Sequence, residues 1–390
     1  MSTPMVADDA ARWLEGKTAA LEAALKPLVE VNSFTENVAG GREVGRLLRE
    51  QWRLPGLEAE VVHSTRFADH LVFRSSGQPQ LRPVALVGHL DTVFPPGKFE
   101  GYRSDGGLRR GPGTLDMKGG LVVLGAALRA LSETGGLGRL PPLRVVVVSD
   151  EEVGSPEGQG VIRSACTGSA VALVLESGRA EDAIITRRKG TGAMEAVAHG
   201  KAAHAGNHHA EGANAIWAVA RFVDLVQRLT DYPRGITVNV GKVLGGQGKN
   251  TVPDYAEAHV DLRFCTRADG EALVKAFHAA AAQAVSVVPG TRLELSGGIS
   301  REPLERSSAS AALLAEYALC ARASGLGGGE AALIGGGSDA STTSSMGIPS
   351  IDGLGPRGKG FHTVEEHIEV SSLVPKAQAL ARFLASRAHG

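Results

Sequence analysis

The sequence predicts an α/β protein with a mixed, largely parallel sheet and flanking helices, interrupted by an inserted ferredoxin-like α+β domain. Up to about residue 178, short aliphatic runs alternate with helical patterns, as in a sheet whose strands are buried on both faces. The middle of the chain then follows the order β-α-β-β-α-β, which is the ferredoxin-like order. The α/β pattern returns after Pro303. We therefore predict one large domain formed by residues 1–187 and 300–390, and an inserted domain formed by residues 188–299.

The first predicted element is an amphipathic helix near the N-terminus. Apolar side chains recur there at roughly helical spacing between charged residues. No basic segment followed by an apolar run is present, as a secretory signal peptide would require. We therefore expect a helix and not a cleaved leader. Its apolar residues are Trp13, Leu14, Leu21, Leu25 and Leu28.

The remaining elements follow from the spacing of apolar residues. In the first part of the chain we predict strands Val84–Gly88, Arg144–Ser149 and Val171–Leu175, and helix Gly119–Leu131. In the insert we predict strand Met194–Ala198, helix Gly212–Leu229, strands Ile236–Val243 and Ala256–Phe264, helix Asp269–Val285 and strand Arg292–Leu295. After it we predict helix Ala309–Ser324, strands Ala331–Ile334 and Pro349–Asp352, and helix Leu373–Leu384.

Composition and charge exclude several classes of partner. The 41 Lys and Arg residues against 42 Asp and Glu leave a net charge of -1, which gives no electrostatic reason to expect nucleic acid or an acidic membrane. No apolar run approaches the ~20 residues that span a bilayer. Cys166, Cys265 and Cys320 form neither a disulfide framework nor a Cys-x-x-Cys zinc site, which fits a reducing compartment. We expect a cytoplasmic protein without nucleic-acid or membrane partners.

Acidic and histidine side chains follow the predicted strands at the points where the strands end. A further aspartate lies in a glycine-rich loop that precedes a predicted helix. Because open α/β sheets place their ligands outside the carboxyl ends of the strands, we expect these side chains to meet at one edge. In chain order they are His89, Asp91, Asp116, Asp150, Glu151, Glu152, Glu176 and His362.

This set of residues predicts two divalent metal ions. So many carboxylates would repel one another and would be costly to desolvate without a cation between them. Imidazole and carboxylate ligands suit Zn²⁺ and tolerate Co²⁺ or Mn²⁺. One aspartate can bridge two ions about 3.5–4 Å apart, leaving a water or hydroxide as nucleophile. The tandem Glu151-Glu152 can supply one ligand and one base for the proton.

Nine segments of the chain match, in order, the motifs of one protein family. They are Gly88–Val93, Gly113–Gly120, Asp150–Ser155, Leu175–Glu176, Gly200–Gly206, Asn250–Pro253, Asp261–Arg263, Gly335–Ala340 and His362. In this order the chain resembles the dizinc amidohydrolases and exopeptidases of the aminoacylase, acetylornithine deacetylase and glutamate carboxypeptidase group. The resemblance covers nearly the whole chain and is greatest to the glutamate carboxypeptidase branch, through the segment at Gly335.

The resemblance implies a role for each matching residue near the metals. His89, Asp116 and Glu176 would hold one zinc ion, and Asp116 would bridge to a second ion. Glu152 and His362 would complete the second site. Glu151 would be the general base, and Asp91 would accept a hydrogen bond from His89 and so fix its tautomer.

The resemblance also implies substrate contacts from the insert and the loop after it. His204 would reach the tetrahedral oxyanion, often across a dimer in this family. Asn250, Arg263 and the backbone near Gly337 would bind a substrate carboxylate, for which a planar guanidinium is suited. The large domain would be a zinc exopeptidase-like catalytic domain, and the insert a lid or dimerisation domain that forms a homodimer.

Each of these residues also has a structural interpretation. Asp91 could start a turn, Asp116 could cap the following helix, and Asp150–Glu152 could be an acidic loop. These alternatives do not explain why acids and histidines recur at strand ends, so we prefer the metal site.

The residues of the insert are open to similar alternatives. His204 lies among other histidines that could form a polar surface. Arg263 could form a salt bridge at a strand edge, and Asn250 could be a turn residue.

The favoured function is metal-dependent hydrolysis of an amide or peptide bond next to a free carboxylate, as in a glutamate carboxypeptidase-like exopeptidase. The substrate would be a small peptide or an N-acyl amino acid. The alternatives are an N-acyl amino-acid deacylase, and a catalytically idle relative that binds such ligands. No ligand or base is missing, which disfavours the idle relative. The segments Gly111–Asp116 and Gly245–Asn250 fail the dinucleotide and phosphate-loop patterns, so no nucleotide cofactor is expected.

Overall fold

The structure, a computed structural model, describes residues 3–389, which pack as two compact units. The first unit extends to Arg187 and includes Arg306–Leu333 and the chain from Ser338 onward. The second contains Arg188–Glu305 and Ile334–Gly337. The sequence predicts the end of the insert at residue 299, whereas a strand continues to Arg301 and the second unit reaches Glu305.

The helices of the described residues are α1 (Thr3–Leu14), α2 (Thr18–Glu30), α3 (Val38–Gln51), α4 (Gly119–Thr134), α5 (Gly158–Cys166), α6 (Ala215–Gln227), α7 (Arg267–Ser286), α8 (Ser308–Ala323), α9 (Ala340–Ser345) and α10 (Leu373–Ser386). The strands are β1 (Leu57–Val62), β2 (His70–Ser75), β3 (Val84–His89), β4 (Arg103–Asp105), β5 (Leu108–Arg110), β6 (Leu143–Val148), β7 (Val171–Val174), β8 (Gly190–His199), β9 (Ala203–His204), β10 (Thr237–Gly245), β11 (Thr251–Val252), β12 (Tyr255–Phe264), β13 (Arg292–Arg301), β14 (Ser350–Ile351), β15 (Gly358–Lys359) and β16 (His367–Glu369).

The main sheet of the first unit has the strand order β1-β2-β6-β3-β7-β14. Strands β6, β3, β7 and β14 are parallel, and β2 and β1 extend the sheet in antiparallel fashion. The predicted mixed, largely parallel sheet is confirmed. Strands β3 and β7 are buried at every residue, as expected for strands covered on both faces.

The N-terminal helix departs from the prediction because the segment forms two helices. Helix α1 ends at Leu14 and α2 begins at Thr18. Between them Gly16 has a φ of 69°, a left-handed conformation that an α-helix cannot continue through. The apolar residues of both helices that the sequence singled out, from Leu14 to Leu28, join the core of the first unit.

The second unit is the predicted ferredoxin-like fold. Its antiparallel sheet has the order β10-β12-β8-β13, and helices α6 and α7 pack together against it. Phe222 and Phe277 meet edge-to-face at 5.7 Å between ring centroids and are fully buried. Every second residue of β12 is buried, which leaves its acidic, histidine and arginine side chains on the opposite face.

Two further features of the fold differ from the sequence prediction. The predicted strand Ala331–Ile334 is wrong, since only isolated bridges form at Glu330 and Ile334. This short stretch passes from the first unit to the second and runs into three glycines, so it cannot extend a ladder. The sheet β15-β16-β5-β4 has no counterpart among the predicted elements, because its strands are only two or three residues long. No helix within residues 3–389 has both the length and the apolar character to cross a membrane.

Candidate dinuclear metal centre

The predicted ligands of the first unit lie where its strands end. His89 is the last residue of β3, and Glu176 follows β7, which pairs with β3. Glu152 lies in a 3₁₀ turn just after β6, the other neighbour of β3. His362 follows β15 and has a φ of 63°, which turns the chain sharply at this point. Parallel pairing of β3 with β6 and β7 therefore places His89, Glu152 and Glu176 at one edge of the sheet, as the sequence predicts, whereas His362 follows a strand of the small sheet β15-β16-β5-β4.

Asp116 lies in an irregular turn that leads into α4. The turn spans Thr114–Lys118, and Asp116 itself has extended dihedral angles (φ −120°, ψ 90°) and a cis peptide bond to Met117. No side-chain hydrogen bond of Asp116 caps α4. The interpretation of Asp116 as a helix cap is therefore not supported, and its carboxylate is available to other partners.

One group of ligand atoms forms around His89. Nε2 of His89 lies 3.3 Å from Oδ1 of Asp116 and 3.7 Å from Oε1 of Glu176. His89 is 1% exposed and Glu176 is 6% exposed, so water reaches them poorly. The three ligand atoms lie within 4.8 Å of one another, a spacing that one metal ion could span.

A second group forms on the other side of the same aspartate. Nε2 of His362 lies 3.4 Å from Oδ2 of Asp116 and 3.1 Å from Oε2 of Glu152. These three atoms also lie within 4.8 Å of one another. Asp116 thus directs one carboxylate oxygen to each group, which is the arrangement of a bridging ligand.

Burial and mutual repulsion raise the pKa of two of these carboxyl groups. Burial, with the charge of Asp116, raises the pKa of Glu152 to about 8, although the hydrogen bond to His362 opposes the shift. Burial and the same neighbour raise the pKa of Glu176 well above its usual range. Acidic groups are thus crowded enough that two of them favour their neutral form.

The pKa values of the two histidines are raised, and the pKa of Asp116 is lowered. Hydrogen bonds to Asp116 and Glu152 raise the pKa of His362 to about 10. Burial opposes protonation of His89, but hydrogen bonds to Asp116 and Asp91 raise its pKa well above the usual range. Burial would raise the pKa of Asp116, but the two histidines outweigh it and hold that pKa below its usual range.

The donor set fits two divalent metal ions. Two imidazoles and three carboxylates are the nitrogen and oxygen ligands that Zn²⁺ accepts, and Co²⁺ or Mn²⁺ tolerate the same set. Divalent cations would also relieve the repulsion between the buried carboxylates that raises their pKa values. They would replace the protons that these groups hold.

Asp91 lies on the Nδ1 side of His89, away from the two groups of candidate ligands. Nδ1 of His89 lies 3.1 Å from the carbonyl oxygen of Asp91 and 3.3 Å from its Oδ1. The Asp91 carboxylate also accepts the backbone N–H groups of Glu151 and Glu152, both at 3.2 Å. It accepts the hydroxyl of Thr35 at 2.8 Å. Asp91 therefore connects a ligand histidine with the tandem glutamates.

Glu151 and Asp150, which precede Glu152 in the chain, do not belong to the two groups of candidate ligands. Glu151 belongs to neither ligand group and directly precedes Glu152 in the chain. Asp150 is a structural residue: its Oδ2 accepts the N–H groups of Glu157 (2.8 Å) and Gly158 (3.0 Å) where α5 begins. Such contacts stabilise the start of a helix.

Two residues of the site were missed at the sequence level. Thr35 reaches Asp91 from a loop that precedes α3. Glu366 is fully buried and accepts three N–H groups of the turn that holds Asp116. Glu366 comes only four residues after His362. An acidic residue this close to a predicted ligand was the one feature of the sequence that could have indicated its place in the site.

The predicted substrate residues lie in the second unit and do not form one cluster there. His204 on β9 and Asn250 are neighbours, because the N–H of Ala205 donates to the carbonyl oxygen of Asn250 at 2.9 Å. Both residues are exposed. Nδ1 of His204 accepts the N–H groups of Gly206 and Asn207 at 3.2 and 3.1 Å, which assigns the ring proton to Nε2.

Arg263 and Gly337 have other surroundings in this unit. Arg263 pairs with Asp261 on the same strand, at 2.9 Å from Nε and 3.0 Å from Nη2. The salt-bridge alternative is thus present, and it leaves the other guanidinium N–H groups available. Gly337 packs against Arg301, since a Cβ at Gly337 would lie 2.6 Å from Cδ of that side chain. Its carbonyl oxygen accepts a long hydrogen bond from Arg188 (3.4 Å).

A third histidine-acid group lies on the open sheet face of the second unit. Nε2 of His259 is 3.0 Å from Oε1 of Glu257 and 3.9 Å from Glu195. All three side chains are partly accessible, and Tyr255 also donates to Glu257. This is the pattern of a hydrated polar face.

Comparison with known proteins identifies the family of the chain and agrees with its fold. The model of the family described as peptidase family M20/M25/M40 matches residues 85–386. Carboxypeptidase G2 of Pseudomonas sp. (strain RS-16) is 24% identical over 366 residues, which cover 92% of this chain and 87% of that protein.

Two solved structures are similar over most of both chains. Aminopeptidase PepT of Bacillus cereus has a TM-score of 0.79 at 22% identity, covering 95% of this chain and 99% of that chain. The YXEP protein of Bacillus subtilis, described as a dinuclear metal binding peptidase from the M20 family, has a TM-score of 0.70 at 16% identity, covering 95% and 98%. At these identities the likeness shows a shared fold.

Proposed function

We propose that this chain, which belongs to peptidase family M20/M25/M40, hydrolyses an amide or peptide bond beside a free carboxylate with the help of two divalent ions. The chain is a carboxypeptidase-like hydrolase by family. The observation that best supports the finer proposal is the position of Asp116, whose two carboxylate oxygens face two separate histidine groups. Zinc is the proposed metal, with Co²⁺ or Mn²⁺ as substitutes.

The residues of the first unit would bind the metal ions and transfer the proton. His89, Asp116 and Glu176 would hold one ion, and Asp116, Glu152 and His362 the other. When bound, the ions would polarise the scissile carbonyl and make water a stronger nucleophile at neutral pH. Glu151 would take the proton from the attacking water and deliver it to the leaving nitrogen.

The residues of the second unit would recognise the substrate. The proton on Nε2 of His204 makes this side chain a donor for the negative oxygen that develops during the reaction. Asn250, Arg263 and the backbone at Gly337 would bind the free carboxylate. A requirement for that carboxylate makes the enzyme an exopeptidase, which agrees with the name of carboxypeptidase G2 among its relatives.

A deacylase of N-acyl amino acids is the alternative substrate assignment. It would cleave the same kind of bond beside the same carboxylate, so the same residues would serve it. The experiment is release of free amino acid from N-acyl amino acids, dipeptides and C-terminal glutamyl amides by zinc- or cobalt-loaded protein, with Glu151→Gln beside it. Activity on one class that is lost in the variant would support the proposal, and metal binding without any hydrolysis would support the idle relative.

We further propose a homodimer formed through the second unit. Strand β10 is the edge of its sheet, and Val243 and Leu244 on it are 50% and 48% exposed. Ile216 on the adjacent helix α6 is 41% exposed. An exposed apolar edge strand favours pairing with another strand, and a second copy of β10 would extend the sheet across a two-fold axis. A cytoplasmic location stays a prediction, supported by three free cysteines.

A further inference from the structure

The buried carboxylate of Glu366 holds the turn that carries the bridging aspartate. Its Oε1 accepts the backbone N–H groups of Leu115 at 2.8 Å and of Asp116 at 3.0 Å. Its Oε2 accepts the N–H of Gly113 at 3.2 Å. Three donors from four consecutive residues thus converge on one side chain, which is fully buried. This contact determines the path of the backbone through Asp116 itself.

The same glutamate is tied to the loop of a second ligand. Glu366 is four residues after His362, and its own N–H donates to the carbonyl oxygen of Thr363 at 3.1 Å. Strand β16 begins at the next residue and pairs with β5, the strand that leads into the glycine turn. Glu366 therefore connects two segments of the site that are far apart in sequence.

The surroundings of Glu366 explain how its side chain can be buried. A buried carboxylate is costly unless its oxygens are hydrogen-bonded, and three N–H donors satisfy that need. Lys118, also fully buried, stands in the same turn and donates to the carbonyl oxygen of Val31 at 3.0 Å.

We propose that Glu366 is a positioning residue for the metal centre: by holding the turn from Gly113 to Asp116, it sets the place of the bridging carboxylate relative to His362. The inference rests on the proposed dinuclear function. Because Asp116 would serve both ions, a shift of its backbone would weaken both sites at once. A glutamate that only filled the core would influence stability and leave metal binding unchanged.

The test uses metal binding by the full chain, measured without substrate. Metal-free protein is titrated with Co²⁺, following visible absorption, and with Zn²⁺ against a chromophoric chelator. Glu366→Gln keeps the shape but presents an amide N–H₂ to one of the three donors. Glu366→Ala removes all three acceptors. Glu365→Gln is the matched control, because Glu365 is the adjacent residue and its side chain is 73% exposed.

The unsubstituted chain and Glu365→Gln should bind two equivalents with the same spectrum. Glu366→Gln should bind both equivalents about 10–100-fold more weakly, with a changed cobalt spectrum, as is typical when a group behind a metal ligand is altered. Circular dichroism identifies variants that fail to fold; if Glu366→Ala fails, Glu366→Gln decides. Wild-type affinity and spectrum in Glu366→Gln would overturn this inference alone. No binding by the unsubstituted chain would overturn the proposed function as well.

Discussion

Nδ1 of His89 faces Asp91, at 3.1 Å from its carbonyl oxygen and 3.3 Å from its carboxylate Oδ1. When a metal ion displaces the proton that Nε2 shares with Asp116, the proton on Nδ1 would still be satisfied by either acceptor, which would leave the Nε2 lone pair for the ion. Asp91, which belongs to neither group of candidate ligands, would therefore select Nε2 as the ligand nitrogen.

Asp91→Asn should weaken metal binding about 10–100-fold, because the amide is uncharged. Its N–H₂ group would also face one of the N–H or O–H groups whose hydrogen bonds the Asp91 carboxylate now accepts. The measurement is competitive Zn²⁺ titration of metal-free protein. Thr35→Val, which removes one hydrogen bond to Asp91 and keeps its charge, should have a much smaller effect. Equal affinities in the two variants would contradict the role given to the charge of Asp91.

Glu151→Gln should lower the rate of hydrolysis by roughly 10²–10⁴-fold, the range that general acid–base catalysis provides. Two bound metal ions should remain, because Glu151 belongs to neither ligand group. Steady-state kinetics and metal analysis on the same preparation check both statements. Glu152→Gln is the comparison, and it should lose metal as well as activity. Loss of metal from Glu151→Gln would assign that residue to the ligands instead.

Metal binding should release protons and should strengthen as the pH rises. In the metal-free chain the pKa of Glu152 is raised to about 8 and that of His362 to about 10, so both groups hold protons at pH 7. Metal ions must displace them. Calorimetric titration with Zn²⁺ in buffers of different ionisation enthalpy counts the protons released. A binding heat independent of the buffer would contradict this prediction.

The metal-free protein should lose stability as the pH rises from about 5 to about 10. Both pKa values are higher in the folded chain than in the unfolded one, so the folded state binds more protons over this interval. Their contribution is complete below the unfolded pKa values and is lost as the pH rises through 8 and then 10. Thermal unfolding of chelator-treated protein at several pH values measures it. The metal-loaded protein should not show this decline.

Gly120→Ala should destabilise the first unit by several kcal/mol, because a Cβ at this position in α4 would collide with the carbonyl oxygen of Leu175. The residue after Leu175 is the ligand Glu176, so metal binding should weaken too. Gly160→Ala is the matched control: this glycine also lies in a helix, α5, and no atom lies within 4 Å of the added Cβ. That variant should be unchanged or more stable by about 0.5–1 kcal/mol. Denaturant unfolding of both variants compares them.

Val243→Lys should convert the proposed dimer to a monomer, because it places a charge on the exposed edge strand β10. Val287→Lys is the control, since Val287 is similarly exposed (44%) and lies outside β10. Light scattering after size-exclusion chromatography gives the mass of each protein. Metal content should remain at the wild-type value in both variants. A monomeric unsubstituted chain would contradict the dimer directly.

The main sheet and the clustering of several candidate ligands were predictable because both depend on local patterns. Strands β3, β6 and β7 are continuous aliphatic runs, and acids or histidines follow each of them directly. The order of the strands in the sheet then brings His89 and Glu176 together. Here sequence proximity to a strand end was sufficient information.

Contacts between distant segments were not predictable in this way. Thr35 bonds Asp91 across 56 residues, and Glu366 bonds Asp116 across 250 residues. Nothing in the local pattern of either residue indicates its partner. Strands β1 and β2 were missed as well, although they complete the sheet in antiparallel fashion next to β6. Whether His204, Asn250 and Arg263 bind substrate stays a prediction, since their environment in the second unit leaves both interpretations open.

The first unit is discontinuous in the chain, and its candidate ligands come from both parts. His89, Asp116, Glu152 and Glu176 precede the second unit in sequence, whereas His362 follows it. Bound metal would therefore act as a reversible crosslink that closes a chain loop containing the entire inserted unit. Closing so long a loop reduces the conformational entropy of the unfolded chain and so stabilises the folded one. Loss of metal would then remove this crosslink at His362, and hydrogen exchange near His362 would report the change before the protein unfolds globally.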